Sequence, residues 1–113
     1  MRKSLQNPPE SPWFDWIAAG VKKYEGRLVK DDWATLEVGD LIMFVSPDGR
    51  ELTCKVISLP KFTTFVEAFE KLGAELVPVP GADSVKVAQL YGQYYSAEQQ
   101  AQYGVVAVQV EPQ

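Results

Sequence analysis

Between residues 22 and 59 the sequence lays down three extended runs with no crossover helix between them. Residues 22–29 alternate in character, residues 41–45 (Leu-Ile-Met-Phe-Val) are apolar throughout, and residues 51–59 alternate again. Parallel neighbours in a sheet need a connection of a dozen or more residues, normally a helix. Here the first two runs are separated by Asp31-Asp32-Trp33, a turn with room for one helical turn. The second and third are joined by Pro47-Asp48-Gly49, a strong hairpin turn. A doubly wound parallel sheet is therefore disfavoured. The expected architecture is α+β: a small, mostly antiparallel β-barrel or curled sheet of about five strands, with three or four helices on its outside.

The flanking segments fit that frame. Residues 3–6 can form a short first strand, ended by Asn7-Pro8-Pro9. Ser11-Pro12 reads as an N-cap followed by proline at the first helical position. The helix would cover residues 13–19, with Phe14, Ile17 and Ala18 on its core face, Trp13 and Trp16 on a neighbouring face, and Gly20 as its stop. Trp33 and Leu36 are expected to face inward, and Gly39-Asp40 is the next breaker. Residues 41–45 are apolar on both alternating faces, which predicts a strand buried on both sides. The return strand 51–59 carries Leu52, Cys54 and Val56 on one face and ends at Pro60. Thr64-x-x-Glu67 is a capping box opening a helix with Phe65, Phe69 and Leu72, which stops at Gly73. Residues 76–82 are too rich in proline for a central strand. Asp83 or Ser84 caps a third helix with Val87, Leu90, Tyr91 and Tyr94 at i, i+3, i+4 and i+7. Ser96-x-x-Gln99 opens a short fourth helix that ends before Gly104, and residues 105–110 form the last strand. There is no repeat, low-complexity tract or internal linker, so a single domain over residues 1–113 is expected.

Composition narrows the chemistry. The chain has no histidine, which removes the commonest general base and metal ligand. Its one cysteine, Cys54, can neither close an internal disulfide nor build a zinc site, and its apolar strand context marks it as a small core residue. No metal or cofactor is expected. The net charge of −4 argues against a surface coated for gripping long duplex, but not against a local basic pocket. No apolar run approaches the ~18 residues of a membrane helix, and the first residues lack the apolar block of a secretory signal. The expectation is a cytoplasmic monomer with no membrane partner.

The remaining concentration of charge is residues 20–28, Gly-Val-Lys-Lys-Tyr-Glu-Gly-Arg-Leu. In a regular strand Lys23, Glu25 and Arg27 share one face and Tyr24 and Leu28 the other. Lys22 joins the charged group only if the chain is still turning out of the preceding helix. Arg27 presents a planar fork suited to phosphate or carboxylate. Lys22 can bind phosphate, or act as a base if burial lowers its pKa. Glu25 can orient Arg27, activate water or accept from a base edge. The plainer alternatives are solvated charges on an edge strand, or a structural pair of Glu25 with Arg27 or Lys23. Among the aromatic residues, Tyr91, Tyr94 and Tyr95 can offer a stacking face for an unstacked base, though the spacing of Tyr91 and Tyr94 points to packing. Tyr95 breaks that register and is the candidate exposed stacking ring, with Trp13 and Trp16 as candidates at a cleft mouth. Thr53, without a histidine to activate it, reads as an ordinary strand residue.

The ordered set of signals resembles the ASCH domain (activating signal cointegrator homology), a member of the PUA-like barrel group. The resemblance runs through Pro12-Trp13-Phe14-Asp15-Trp16-Ile17-Ala18-Ala19-Gly20, Lys22-x-x-Glu25-Gly26-Arg27-Leu28 and Val38-Gly39-Asp40-x-Ile42-x-Phe44. It continues in Phe62-x-x-Phe65-x-Glu67-Ala68, Tyr91-x-x-Tyr94-Tyr95-Ser96-x-Glu98 and Tyr103-Gly104-Val105-Val106-Ala107-Val108. It implies a small β-barrel with a cleft lined in part by Lys22-x-x-Glu25-Gly26-Arg27, and an RNA-related role. One branch of the family includes a bacterial amidohydrolase that removes the acetyl group from acetylated cytidine. That enzyme is similar to this chain at Lys22, but has a threonine where this chain has Glu25; Glu75 and Asp83 are the candidates for its acidic partner.

Three functions are therefore expected in turn. The first is a module binding RNA, single-stranded nucleic acid or a nucleotide through Lys22, Glu25, Arg27, Tyr95 and Trp13. The second is a small hydrolase of an acylated nucleoside or of RNA, with Lys22 and Glu25 as its catalytic residues. The third is a protein-interaction module that uses the Trp-rich first helix.

Overall fold

The computed structural model describes residues 1–113. Its strands are β1 (Arg2–Ser4), β2 (Tyr24–Leu28), β3 (Leu41–Val45), β4 (Glu51–Ser58), β5 (Lys61–Phe62) and β6 (Val105–Pro112). They form one sheet in the order β1-β3-β4-β6-β2, with β5 also pairing β6. All pairs are antiparallel except β1 with β3. The β3–β4 hairpin turns where Pro47-Asp48-Gly49 predicts, with Gly49 at φ +89°. A register shift between Val56 and Ser58 adds a bulge that strengthens the local twist and curls the sheet. The sheet therefore becomes a partly closed barrel whose two end strands, β1 and β2, approach without pairing. The hydrogen bond that spans them comes from an Arg27 side-chain Nη2, donated to the Ser4 carbonyl at 3.2 Å.

Five helices and a 3-10 turn at Gly73–Glu75 surround the sheet: α1 (Trp13–Ala18), α2 (Asp32–Thr35), α3 (Phe65–Leu72), α4 (Ser84–Gly92) and α5 (Ala97–Tyr103). The class and the approximate strand count agree with the sequence reading; the turn after Asp31 is the single helical turn α2, and the addition is the two-residue β5. The core gathers Ile42, Phe44, Cys54, Val56 and the valines of β6 against Phe14 and Ile17 of α1, Phe65 and Ala68 of α3, and Val87 and Leu90 of α4. Leu76 and Val77, at the start of the proline-rich segment, plug the same core. No helix is long and apolar enough to cross a membrane.

Several local expectations change. β3 is buried on one face only: Ile42 and Phe44 are inside while Leu41 is 53% exposed. A curled antiparallel sheet has one concave face to fill, and a uniformly apolar run cannot say which face that is. In α1 the buried residues are Trp13, Phe14 and Ile17, and Ala18 is exposed. Ser11 is buried and does not cap α1. The Oδ1 of Asn7 instead accepts the Asp15 backbone N–H at 3.2 Å, a cap supplied from outside the helix. Thr64 accepts from the Glu67 N–H, but the Glu67 carboxylate takes the Thr63 hydroxyl, so only half of that capping box forms. The Ser96–Gln99 box is complete, and Asp83 rather than Ser84 caps α4. Because α4 ends at Gly92, Tyr94 leaves the helical register and is exposed, whereas Tyr95, expected to be the exposed ring, is half-buried against Phe65.

Candidate nucleotide-binding site

The site is built where β2 leaves α1 and faces the end of β1. Gly20, at φ +76°, ends α1, and the next two backbone N–H groups, of Val21 and Lys22, still donate to the Trp16 carbonyl. Lys22 is thus still in the turn and out of strand register, which is the condition under which it joins Glu25. Its side chain is fully buried rather than solvated. Its Nζ donates to the Leu76 carbonyl, lies 3.8 Å from Glu25 Oε1, and sits 4.9 Å from the centre of the Trp13 ring. Burial pulls the ammonium pKa down to about 8; Glu25 opposes the shift and Arg27 adds to it.

Glu25 and Arg27 are held by pairing with Val108 and Val106 of β6. Glu25 is buried, and its Oε2 accepts from Arg27 Nε at 3.0 Å and pairs with Nη2 at 2.9 Å. The guanidinium lies 4.7 Å from the centre of the Trp33 ring. Burial disfavours the Arg27 charge, but Glu25 together with Tyr95 and Tyr91 outweighs it and holds the pKa above the ordinary value. Trp33 reaches this position through the turn at Asp31, a non-glycine residue at φ +53°, after which its N–H bonds the Lys30 carbonyl at 3.1 Å. The plainer alternative, a Glu25–Arg27 pair, is therefore present. It is a buried pair rather than a solvated one, with a second cation behind it.

Gly26, between the two, is the point of closest approach. A Cβ there would lie 3.0 Å from Tyr91 Oη and 3.2 Å from the Phe65 ring. Its absence lets Phe65 and Tyr91 stack with centroids 4.2 Å apart and planes 4° from parallel, hard against β2. Trp13 stacks on the other side of Tyr91 at 6.2 Å, and Tyr95 on Phe65 at 4.9 Å. Tyr91 is buried, and its hydroxyl has no hydrogen-bond partner. Burial and the Glu25 carboxylate push its pKa well up, so it remains a neutral O–H donor.

A cavity of about 170 Å³ opens in this seam. Glu25, Gly26 and Arg27 form one wall and Ser4, Leu5 and Gln6 the facing wall; Trp13, Tyr91, Tyr94 and Tyr95 complete it. Of the residues singled out from the sequence, Glu25, Arg27, Trp13 and Tyr95 come together here. Lys22 does not line the cavity; it lies behind Glu25 and Trp13. Lys23 is exposed, with its N–H on the Glu75 carbonyl. Glu75 and Asp83 are exposed and neither lines the cavity; the Asp83 carboxylate is occupied by the Lys86 N–H. Trp16 packs against the core. The sequence reading missed the β1 wall, Trp33 as a platform for Arg27, and the unpartnered hydroxyl of Tyr91. A phenol among the aliphatic positions of α4 was a usable signal, because a buried hydroxyl normally has a partner.

Chemically the cavity offers a neutral ion pair with an ammonium behind it and aromatic faces, with the unpartnered Tyr91 hydroxyl closed off beside them. No three potential ligands among His, Cys, Asp and Glu come close enough to hold a metal ion. A family model, the ASCH domain, matches residues 10–113. The crystal structure of hypothetical protein PH0355 is similar over the whole of both chains, with 29% identity and a TM-score of 0.80. The solution NMR structure of protein PF0455 from Pyrococcus furiosus is similar over 99% of this chain and 97% of its own, with 26% identity and a TM-score of 0.73. No curated protein matches the chain.

Proposed function

Because the chain belongs to the ASCH domain family, we propose that it is a binding module whose seam cavity takes one unstacked base, from single-stranded RNA or from a nucleoside or nucleotide. The observation that carries this reading is the Tyr91 hydroxyl: buried, unpartnered, and part of a residue that lines an aromatic-walled cavity. Leaving such a group unsatisfied costs about 1–3 kcal/mol, which a ligand acceptor recovers once a small shift of the ring opens the hydroxyl to the cavity. The aromatic faces supply stacking that any base can use. Lys22 is sealed away and Arg27 is engaged by Glu25, so the phosphate stays outside and the ring enters. Lys22 then acts as a counter-charge to Glu25 rather than as a phosphate ligand.

Titration with short RNA, single-stranded DNA, mononucleotides and nucleosides, at low and moderate salt, tests this. Nucleosides are expected to compete within a few-fold of nucleotides, with a shallow salt dependence, since few phosphates are neutralised. Arg27→Ala is expected to weaken binding by releasing Glu25 and the Ser4 carbonyl from the cavity walls, and Arg27→Lys not to restore it fully, because lysine lacks the fork that holds Glu25 through both Nε and Nη2. Absence of binding to every ligand at low salt rejects the reading.

One observation favours a hydrolase as the second reading. Lys22, with a pKa of about 8 beside Glu25, is a base available near neutral pH. Its sealed position weighs against direct attack on a ligand, and product analysis with acylated nucleosides and RNA separates catalysis from binding. The protein-interaction reading has less support: Trp13 is buried and Trp16 packs on the core, so α1 offers no exposed tryptophan face.

A further inference from the structure

The wall of the cavity formed by Ser4, Leu5 and Gln6 lies outside residues 10–113, the part that the family model matches. It carries two polar side chains without a partner in the chain. The Met43 N–H bonds the Met1 carbonyl at 2.8 Å and the Leu5 N–H bonds the Val45 carbonyl at 2.9 Å. In a parallel pair these contacts belong to alternate residues, so residues 1, 3 and 5 turn their peptide groups to β3, and Ser4 and Gln6 turn theirs toward the open seam. The Ser4 carbonyl is taken by Arg27. The Ser4 hydroxyl and the Gln6 side-chain amide make no hydrogen bond within the chain, and both residues line the cavity.

Gln6 is also well anchored. Leu5 on one side is 3% exposed and part of the core. Asn7 on the other binds the Asp15 N–H at 3.2 Å and the Asp15 carboxylate at 3.1 Å. A carboxamide carries an acceptor and two donors side by side, the arrangement that pairs bidentately with a ring edge bearing an adjacent donor and acceptor. The opposite wall is different: its charges are cancelled within the Glu25–Arg27 pair, and its aromatic faces accept any base.

We propose that the β1 wall, with Gln6 as its reading group, determines which nucleobase the cavity accepts. This rests on the reading of the cavity as a base site. The inner residues hold a ring without discriminating; Gln6 pairs with the edge left facing β1. Its amide pairs with an edge that presents one donor beside one acceptor. A carboxylate at the same position only accepts, and therefore selects an edge with two adjacent donors, such as the N1–H and amino group of guanine.

The test measures affinities for adenosine, cytidine, guanosine and uridine with the parent chain, Gln6→Ala and Gln6→Glu, with melting curves to confirm folding. Gln6 is exposed, so both variants are expected to melt like the parent. Gln6→Ala is expected to bring the four affinities closer together. Gln6→Glu is expected to raise the preference for guanosine over uridine about tenfold, the scale of one bidentate pair. If the parent binds no nucleoside, the base-site reading falls and this inference with it. If the parent binds and both variants keep its rank order, or weaken all four nucleosides equally, Gln6 does not read the base and the inference alone is overturned.

Discussion

The β4–β6 side of the barrel and the seam between β1 and β2 belong to one sheet but are held by different physics. Along β4 and β6 the buried side chains are Cys54, Val56 and a run of valines and alanine, and neighbouring strands pair. In the seam pairing stops, and Lys22, Glu25, Arg27 and Tyr91 are packed where water is largely excluded. Burying apolar side chains stabilises in proportion to area. Burying charges stabilises little even when they are well paired, and costs heavily when one partner is removed. The first region can thus hold the fold together, and the second is sensitive to single atoms.

The largest effect should come from the first region. β6 is the shared partner of β2, β4 and β5, so removing residues 105–113 should abolish cooperative melting and dispersed amide spectra. A truncated chain that melted cooperatively would show that the seam side is a folding unit of its own. Next is Glu25→Ala, which strands the buried Lys22 and the half-buried Arg27. Loss of about 3–5 kcal/mol in denaturant unfolding is expected; a loss under about 1 kcal/mol would mean that the seam is as forgiving as a surface.

A smaller effect tests the charge state of the seam. Lys22 titrates at about 8 in the folded chain against 10.5 in its ordinary state, so between these values the unfolded chain holds more protons. Stability should therefore rise with pH through this window, by about 1 kcal/mol over the pH unit above 8. Below pH 8 both states are protonated and this contribution is flat. Cys54 acts oppositely above pH 9, its thiol being pushed up to about 11, and Tyr91 and Tyr95 oppose it at higher pH still. Comparison with Lys22→Met, which retains all three, isolates the lysine: the difference between the two stability curves should change across pH 8–9. A constant difference would place the ammonium in contact with water. The smallest effect is Tyr91→Phe, expected to leave stability unchanged or raise it by up to about 1 kcal/mol while weakening ligand affinity. A loss of stability of about 2 kcal/mol would reveal a partner for the hydroxyl and remove the main support for the cavity as a site.

Signals confined to a few neighbouring residues were readable in the sequence. The Pro47-Asp48-Gly49 turn, the stop at Gly20, and the caps at Asp83 and Ser96 each depend on local backbone chemistry, and each is present. The pairing of Glu25 with Arg27 was open to inspection for the same reason: alternate strand residues share a face. A few failures are local, as at Thr64, where Glu67 turns to Thr63, and at Tyr94, which lies past the end of α4; the others are non-local. Nothing near Leu41 says that its face of β3 is the outer one, because that depends on how the sheet curls. Nothing near Ser4 or Gln6 says that they will face Arg27, since β1 reaches the seam only by pairing in parallel with β3. The sealing of Lys22 depends on Leu76, far along the chain.

The position of β6 also sets an order of events. The β3–β4 hairpin joins neighbours in sequence through a short turn, whereas β2 pairs with β6 across most of the chain, Tyr24 opposite Gln109. Closing so long a loop is entropically expensive and slow relative to a hairpin. The hairpin should therefore acquire protection from exchange first, and the amides of residues 24–28 only once residues 105–112 have docked. During synthesis, Glu25 and Arg27 leave the ribosome long before the strand that fixes their register. Until it arrives they form an exposed, unpaired edge that a chaperone or a second nascent chain can occupy. Pulse-labelled hydrogen exchange, read separately for Ile42, Cys54 and Glu25, would reveal this order or refute it.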